Sequence, residues 1–335
     1  MTARAAALAA LVATTVGGCT STSSTSPGTG SPATASPATK AAAGAEADFT
    51  IPPTTPTTPT TADVQSAAPA TRIDGAPDAS TIAAELDTAV NTLLDPAATS
   101  SATDAAGQRM QLLLRHMSSR PELDADVLGL LGPASRPSIG RIVAARQFGQ
   151  ARAAADPTPS EPPTTLPAWR IVGPEPVSVL RGFYDEAEAS TGVPWYWLAA
   201  INLQETRMGR IVGVSSAGAT GPMQFLPSTW AECCTGDPTI TRDAIIGAAT
   251  YLVQSGAPAD MAAAVHQYNP NDSYVATVTA YAESLRDQPQ LYLGFHAWQV
   301  FTGTAAGTVR LPVGYAADEP VDAGAYLADH PDDAA

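Results

Sequence analysis

Glu205 is the side chain whose surroundings in the sequence best suit an acid. It lies in an apolar helical stretch from Pro194 to Met208, and at about 100° per residue Trp195, Leu198, Ile201, Asn202 and Met208 fall on its side. Pro194 suits the start of such a helix and Gly209 its end. Burial disfavours a charged carboxylate, and the unpaired carbonyls of a last helical turn disfavour it further. Both effects raise the pKa toward that of a general acid at neutral pH. The same placement also fits a structural Glu paired with Arg207 or Arg210. Two later segments carry polar groups in compact settings. Ser215 to Trp230 holds two Gly, two Pro and Gln224 in a loop before a helix capped near Ser228, and Gly218 and Gly221 allow close backbone approach by a ligand. Ala262 to Pro270 ends a helix in Tyr268 and Asn269, followed by a stripe of Tyr274, Val278, Tyr281 and Leu285.

Helices must hold these groups. Of 335 residues, 44% are hydrophobic and many of these are Ala, whereas aromatics make up 6%, a balance that favours close-packed helices over sheets. Residues 78–155 carry three helical stripes: Ile82, Leu86, Val90 and Leu93; Met110, Leu113, Leu114 and Met117; Ile139, Ile142 and Val143. Residues 156–168 read as a linker. Residues 169–316 read as the domain that carries the chemistry, closing on a small hairpin formed by Trp298–Phe301 and Thr308–Val313. Residues 317–335 read as an acidic, loosely ordered tail.

The other end of the chain reads as an address and a tether. Residues 1–19 place Arg4 before an apolar run from Ala5 to Val16 and end in Val16-Gly17-Gly18-Cys19, the layout of an export signal. The run is shorter than the roughly 20 residues that a bilayer span needs. The last four residues resemble the bacterial lipoprotein cleavage box, which implies a lipid anchor at Cys19. Residues 20–77 are nearly all Ser, Thr, Pro, Ala and Gly, too poor in large apolar side chains to offset chain entropy by burial.

In order along the chain, Glu205-Thr206-Arg207-Met208-Gly209-Arg210, Ser215…Gly218-Ala219…Gly221-Pro222-Met223-Gln224, Asp243-Ala244-Ile245 and Tyr268-Asn269 resemble the motifs of bacterial lytic murein transglycosylases. The E-T-R-x-G-R string is closest to their membrane-bound lipoprotein branch. The resemblance spans about residues 175–285 and implies a mainly α, lysozyme-like catalytic domain. It also implies cleavage of the β-1,4 bond between N-acetylmuramic acid and N-acetylglucosamine in peptidoglycan, leaving 1,6-anhydromuramyl ends. In it, Glu205 is the single catalytic acid and then base. Ser215, Met223, Gln224, Tyr268 and Asn269 line the sugar site, with Tyr268 able to hold the Glu205 proton. The implied partners are peptidoglycan glycan strands, the membrane through Cys19, and cell-wall synthesis or division proteins.

Core packing competes as a reading for Met223, Tyr274, Tyr281, Trp195, Trp197 and Trp230. A hydrolase using Asp237 or Asp272 to position water, and a non-catalytic wall-binding protein, are the competing functions. The formal charge of −15 argues against nucleic acid as a partner. No His and Cys spacing supports zinc, and Thr235-Gly236-Asp237-Pro238 supplies no calcium loop, so neither metal nor cofactor is expected. Cys233 and Cys234 are expected either as a vicinal disulfide or as two thiols.

Overall fold

The computed structural model describes residues 72–155 and 161–335. The export segment with Cys19, the tether as far as residue 71 and the linker residues 156–160 lie outside the described residues. Within them the architecture is mainly α. Among the described residues no helix is long and apolar enough to cross a membrane.

The N-terminal stripes form helices as the periodicity requires. In α1 (Ala79–Leu94), Asp78 caps the N-terminus by accepting the Thr81 N–H at 2.8 Å, and Ile82, Leu86, Val90 and Leu93 are buried. In α2 (Ser100–Ser119), Thr99 caps, and Met110, Leu113, Leu114 and Met117 are buried. Two more helices, α3 (Asp124–Leu130) and α4 (Arg136–Ala155), complete this region. After the linker come α5 (Val177–Thr191), α6 (Trp195–Thr206), α7 (Pro227–Cys233), α8 (Thr241–Gln254), α9 (Met261–Tyr268), α10 (Asp272–Asp287) and α11 (Leu291–His296).

Residues 78–155 are not a separate unit but share their core with the helices after the linker. One apolar core runs from Ile82 through Leu113 and Val143 to Leu198, Val278 and Phe295. Helix α4 packs along α10, and α2 packs against α11. The α2–α11 crossing is close enough that a Cβ on Gly107 would stand 2.4 Å from the Gly294 carbonyl oxygen, so glycine is required there by contact rather than by backbone angle. Gln111 fastens the same face, donating to the Gln299 carbonyl at 2.9 Å and accepting the Gln299 N–H at 2.8 Å. Helix α6 sits inside this core, apolar and buried nearly all round.

A smaller second core gathers Leu166, Trp169, Ile171, Ile211, Val309 and Leu311. Here β1 (Thr165–Leu166) pairs with β6 (Val321–Asp322), β2 (Arg170–Ile171) with β3 (Ile211–Val212), and β4 (Val300–Thr304) with β5 (Gly307–Leu311), all antiparallel. The last pair is the hairpin expected near Trp298–Val313.

The loosely ordered C-terminal tail is corrected. Residues beyond 317 form β6 and α12 (Ala323–Asp329), and Asp333 is buried in an ion pair with Arg310 at 2.6 Å while Tyr326 donates to its other oxygen at 2.8 Å. Acidic composition suggested solvation, but the pairing of Asp333 with an internal Arg ties the end of the chain to the hairpin. Likewise the linker is fixed from residue 163 onward, where Pro163 and Thr164 accept backbone hydrogen bonds from Ala305 and Ala323.

Candidate active site

Glu205 lies in the last turn of α6. The helix begins one residue later than expected, with Pro194 as its cap, and stops at Thr206 because Arg207, Met208 and Gly209 all take left-handed backbone angles, with φ of 55°, 62° and 83°. Only glycine adopts that conformation freely, so two consecutive side-chain-bearing residues there mark a strained turn. Its consequence is to turn the chain sharply just after Glu205, leaving the carboxyl in the last turn of a helix whose end, at Thr206, Arg207 and Met208, is buried.

Glu205 is half-buried as a residue, and protein crowds its carboxyl enough that desolvation pushes its pKa up to about 7. Tyr274 Oη donates to Glu205 Oε1 at 2.6 Å, which favours the charged form and offsets part of the rise. The arginine lock that the sequence left open is absent from these contacts: Arg207 donates to the Leu203 carbonyl at 2.6 Å and Arg210 to the His296 carbonyl at 2.9 Å.

One loop covers the acid's helix and is pinned to it. Thr220 and Phe225 exchange backbone hydrogen bonds across a four-residue turn. The Pro222 carbonyl at its tip accepts from Asn202 Nδ2 at 2.8 Å and from Thr206 Oγ1 at 2.6 Å. Asn202 is itself held by the buried Tyr184 hydroxyl at 2.7 Å. A Cβ on Gly221 would come within 1.8 Å of the Pro238 carbonyl oxygen, and its φ is +75°. The glycine thus serves the loop's packing, not an approach by ligand; Gly218, with φ of +85° and open space around it, has room for one.

The expected site residues divide accordingly. Gln224 is half-buried with φ of +51°, and its Nε2 donates to the Gly221 carbonyl at 3.0 Å. Asn269, half-buried at the end of α9, has a side-chain amide with no hydrogen bond among the described residues. Ser215 Oγ accepts the Ala219 N–H at 3.0 Å and so shapes its own turn; no contact joins it to Glu205. Met223 is corrected: its side chain is fully buried and belongs to the core. Tyr268 is corrected as well, since its hydroxyl donates to the Met223 carbonyl at 2.5 Å. It still stands close enough to Glu205 for the carboxylate to raise its pKa further, after burial.

Tyr274 is the residue that sequence reasoning passed over as packing. The signal was present: Tyr274 begins a stripe on α10, which packs directly on α6. Asn271 caps α10, its side-chain oxygen accepting the Ser273 and Tyr274 N–H groups at 2.9 and 3.1 Å, and this fixes the first turn from which Tyr274 reaches the acid.

Neither carboxylate weighed as a second catalytic group belongs to this site. Asp237 accepts from the Thr239 N–H and hydroxyl at 2.8 and 2.7 Å, and Asp272 pairs with Arg152 at 3.1 Å. Cys233 and Cys234 form a vicinal disulfide beside Trp230, which is buried against Phe225. Helix α7 starts at Pro227, one residue ahead of the expected cap at Ser228, and Leu226 takes the cap position. Among the described residues no three His, Cys, Asp or Glu side chains gather as a metal cluster. No protein-family model, no curated protein and no solved structure matches the chain.

Proposed function

We propose that this protein is a lytic transglycosylase of lysozyme-like fold that cleaves the β-1,4 bond between N-acetylmuramic acid and N-acetylglucosamine in peptidoglycan. The observation that carries the reading is Glu205: a carboxyl in the last turn of a helix, shifted to about 7 by desolvation and hydrogen-bonded to a neutral tyrosine rather than to a cation. Such a group holds its proton near neutrality and can release it.

Glu205 donates its proton to the bridging oxygen as the C1–O4 bond breaks, freeing the N-acetylglucosamine hydroxyl. The substrate's 2-acetamido oxygen bonds to C1 and carries the positive charge. The Glu205 carboxylate then takes the proton of the muramyl 6-hydroxyl, O6 bonds to C1, and the acetamido oxygen leaves. The products are a 1,6-anhydro end and a reprotonated Glu205, so no water is consumed. One carboxyl suffices for this sequence, whereas hydrolytic glycosidases generally employ a pair. The engagement of Asp237 and Asp272 elsewhere supports the single-carboxyl route. Tyr274 holds Oε1 so that the other oxygen faces substrate, and the amides of Gln224 and Asn269 suit sugar hydroxyl and acetamido groups.

On the same reading the enzyme works outside the cytoplasm, anchored through lipid at Cys19, with residues 20–77 as the tether that lets the folded domain reach the wall. Mass spectrometry of peptidoglycan digested by the wild type and by Glu205→Gln tests the proposal: fragments one water lighter than hydrolytic products are expected from the wild type and none from the variant. Fragments of hydrolytic mass would establish a hydrolase, and undiminished solubilisation by the variant would remove Glu205 from the role.

A further inference from the structure

Behind the catalytic helix lies a cluster that the proposed reaction does not use. Arg207, turned back by its left-handed backbone, is 3% exposed, and its guanidinium lies 5.8 Å from the centre of the Trp298 ring. Arg115, on α2, is half-buried and places its guanidinium 4.2 Å over the Phe301 ring. Trp298 is also 3% exposed and stacks edge-on with Tyr281 and Phe295 at 5.7 and 5.0 Å. Five elements therefore meet here: α2, the turn after α6, α10, α11, and the start of β4.

The charge balance of this cluster is unusual. The two guanidiniums stand near enough to repel each other, and burial together with that repulsion lowers the Arg115 pKa to about 10, which still leaves it charged at neutral pH. Among the described residues neither pairs with a carboxylate: Arg207 donates to the Leu203 carbonyl, and Arg115 has only the Phe301 ring. The phenol facing Arg207 is Tyr281, which burial keeps protonated. Glu205 is engaged with Tyr274, two turns away along α10. The buried Trp298 Nε1 has no hydrogen-bond acceptor among the described residues. Buried cations in proteins are almost always matched by an anion, and buried N–H donors by an acceptor.

We propose that Arg115, Arg207 and the Trp298 indole N–H form a binding site for a carboxylate. Two oxygens in one plane match a guanidinium fork bidentately, and a singly charged group brings the pair of cations toward balance without over-charging the cluster. Arg115 is the half-buried member of the cluster, through which a ligand would enter, and Arg207 and Trp298 are its buried members. The carboxylate comes either from a small free acid or from the peptide stem of the wall polymer. The site stands on its own geometry whether or not the catalytic reading holds.

The test is thermal unfolding of the full chain in a low-salt zwitterionic buffer at pH 7, titrated with sodium acetate and, separately, with a muramyl dipeptide. Wild type is expected to gain roughly 3 °C at saturation over Arg115→Gln, as ligand binding to the folded state alone requires. Arg115→Lys, which keeps the charge but lacks the fork, is expected to fall between them and serves if Arg115→Gln has no cooperative transition. A response to the dipeptide at lower concentration than acetate assigns the site to the wall peptide; equal responses assign it to free carboxylates. Parallel curves for wild type and the Arg115 variants, or no saturable rise in wild type, overturn the proposal.

Discussion

The Tyr274 hydroxyl and the Glu205 carboxyl meet at 2.6 Å across the packed faces of α10 and α6. Because this hydrogen bond favours the ionised carboxyl, Tyr274→Phe is expected to raise the Glu205 pKa above about 7. The alkaline limb of the pH–rate profile for wall solubilisation then moves to higher pH, while the maximum rate falls about 10- to 100-fold as the carboxyl loses its orientation. Tyr268→Phe removes a bond to the Met223 carbonyl instead and is expected to leave the limb in place. An unmoved limb in Tyr274→Phe would contradict the role assigned to it.

Glu205 also makes stability depend on pH. Its folded-state pKa of about 7 lies above the ordinary value of 4.5, so the native state binds this proton more tightly than the unfolded chain. The contribution is fully present below about pH 4.5 and is lost as pH rises through about 7. Glu205→Gln, which never ionises, should match the wild type near pH 4 and exceed it by up to ~3 kcal/mol at pH 8, measured by urea denaturation at both pH values. Equal stabilities at pH 8 would mean that the carboxyl is well solvated.

The place of Glu205 in the last turn of a largely buried helix was legible in the sequence because it depends on helical periodicity, which the spacing of apolar residues records. Ile82 to Leu93 and Met110 to Met117 were legible for the same reason, and the hairpin after Trp298 was legible from alternation on either side of a glycine-containing turn. Tyr274 was not, since a tyrosine in an apolar stripe has the same spacing whether its hydroxyl meets a carboxylate or a backbone oxygen; only the register of α10 on α6 decides. Met223 was placed at the sugar site by the resemblance alone, with core packing as the competing reading, and the core reading holds because two hydrogen bonds to the Pro222 carbonyl pull this loop onto the core. The order of the C-terminus depends on Asp333 meeting Arg310, a long-range pairing that acidic composition conceals.

The loop over α6 has little tolerance at Gly221. A methyl there meets the Pro238 carbonyl at 1.8 Å, and the residue must also keep φ near +75°. Gly221→Ala is expected to cost at least ~3 kcal/mol and to abolish wall solubilisation together with the loss of fold. Chemical denaturation measures it, and a cost below ~1 kcal/mol would show that the loop yields easily.

Helices α1 to α4 are expected to be indispensable. Without them α10 loses the packing of α4 and α11 the packing of α2, along with the Gly107–Gly294 contact, and apolar surface opens to water. Residues 161–335 expressed alone should therefore lack a cooperative thermal transition by circular dichroism. A sharp transition would mark the N-terminal helices as an accessory layer.

The mass of the fragments released from purified peptidoglycan is the most direct measure of the central claim. Muropeptides ending in 1,6-anhydro sugars, lighter by one water and absent with Glu205→Gln, are the predicted result. Reducing-end muropeptides of full hydrolytic mass, or anhydro products that persist in the variant, would contradict it.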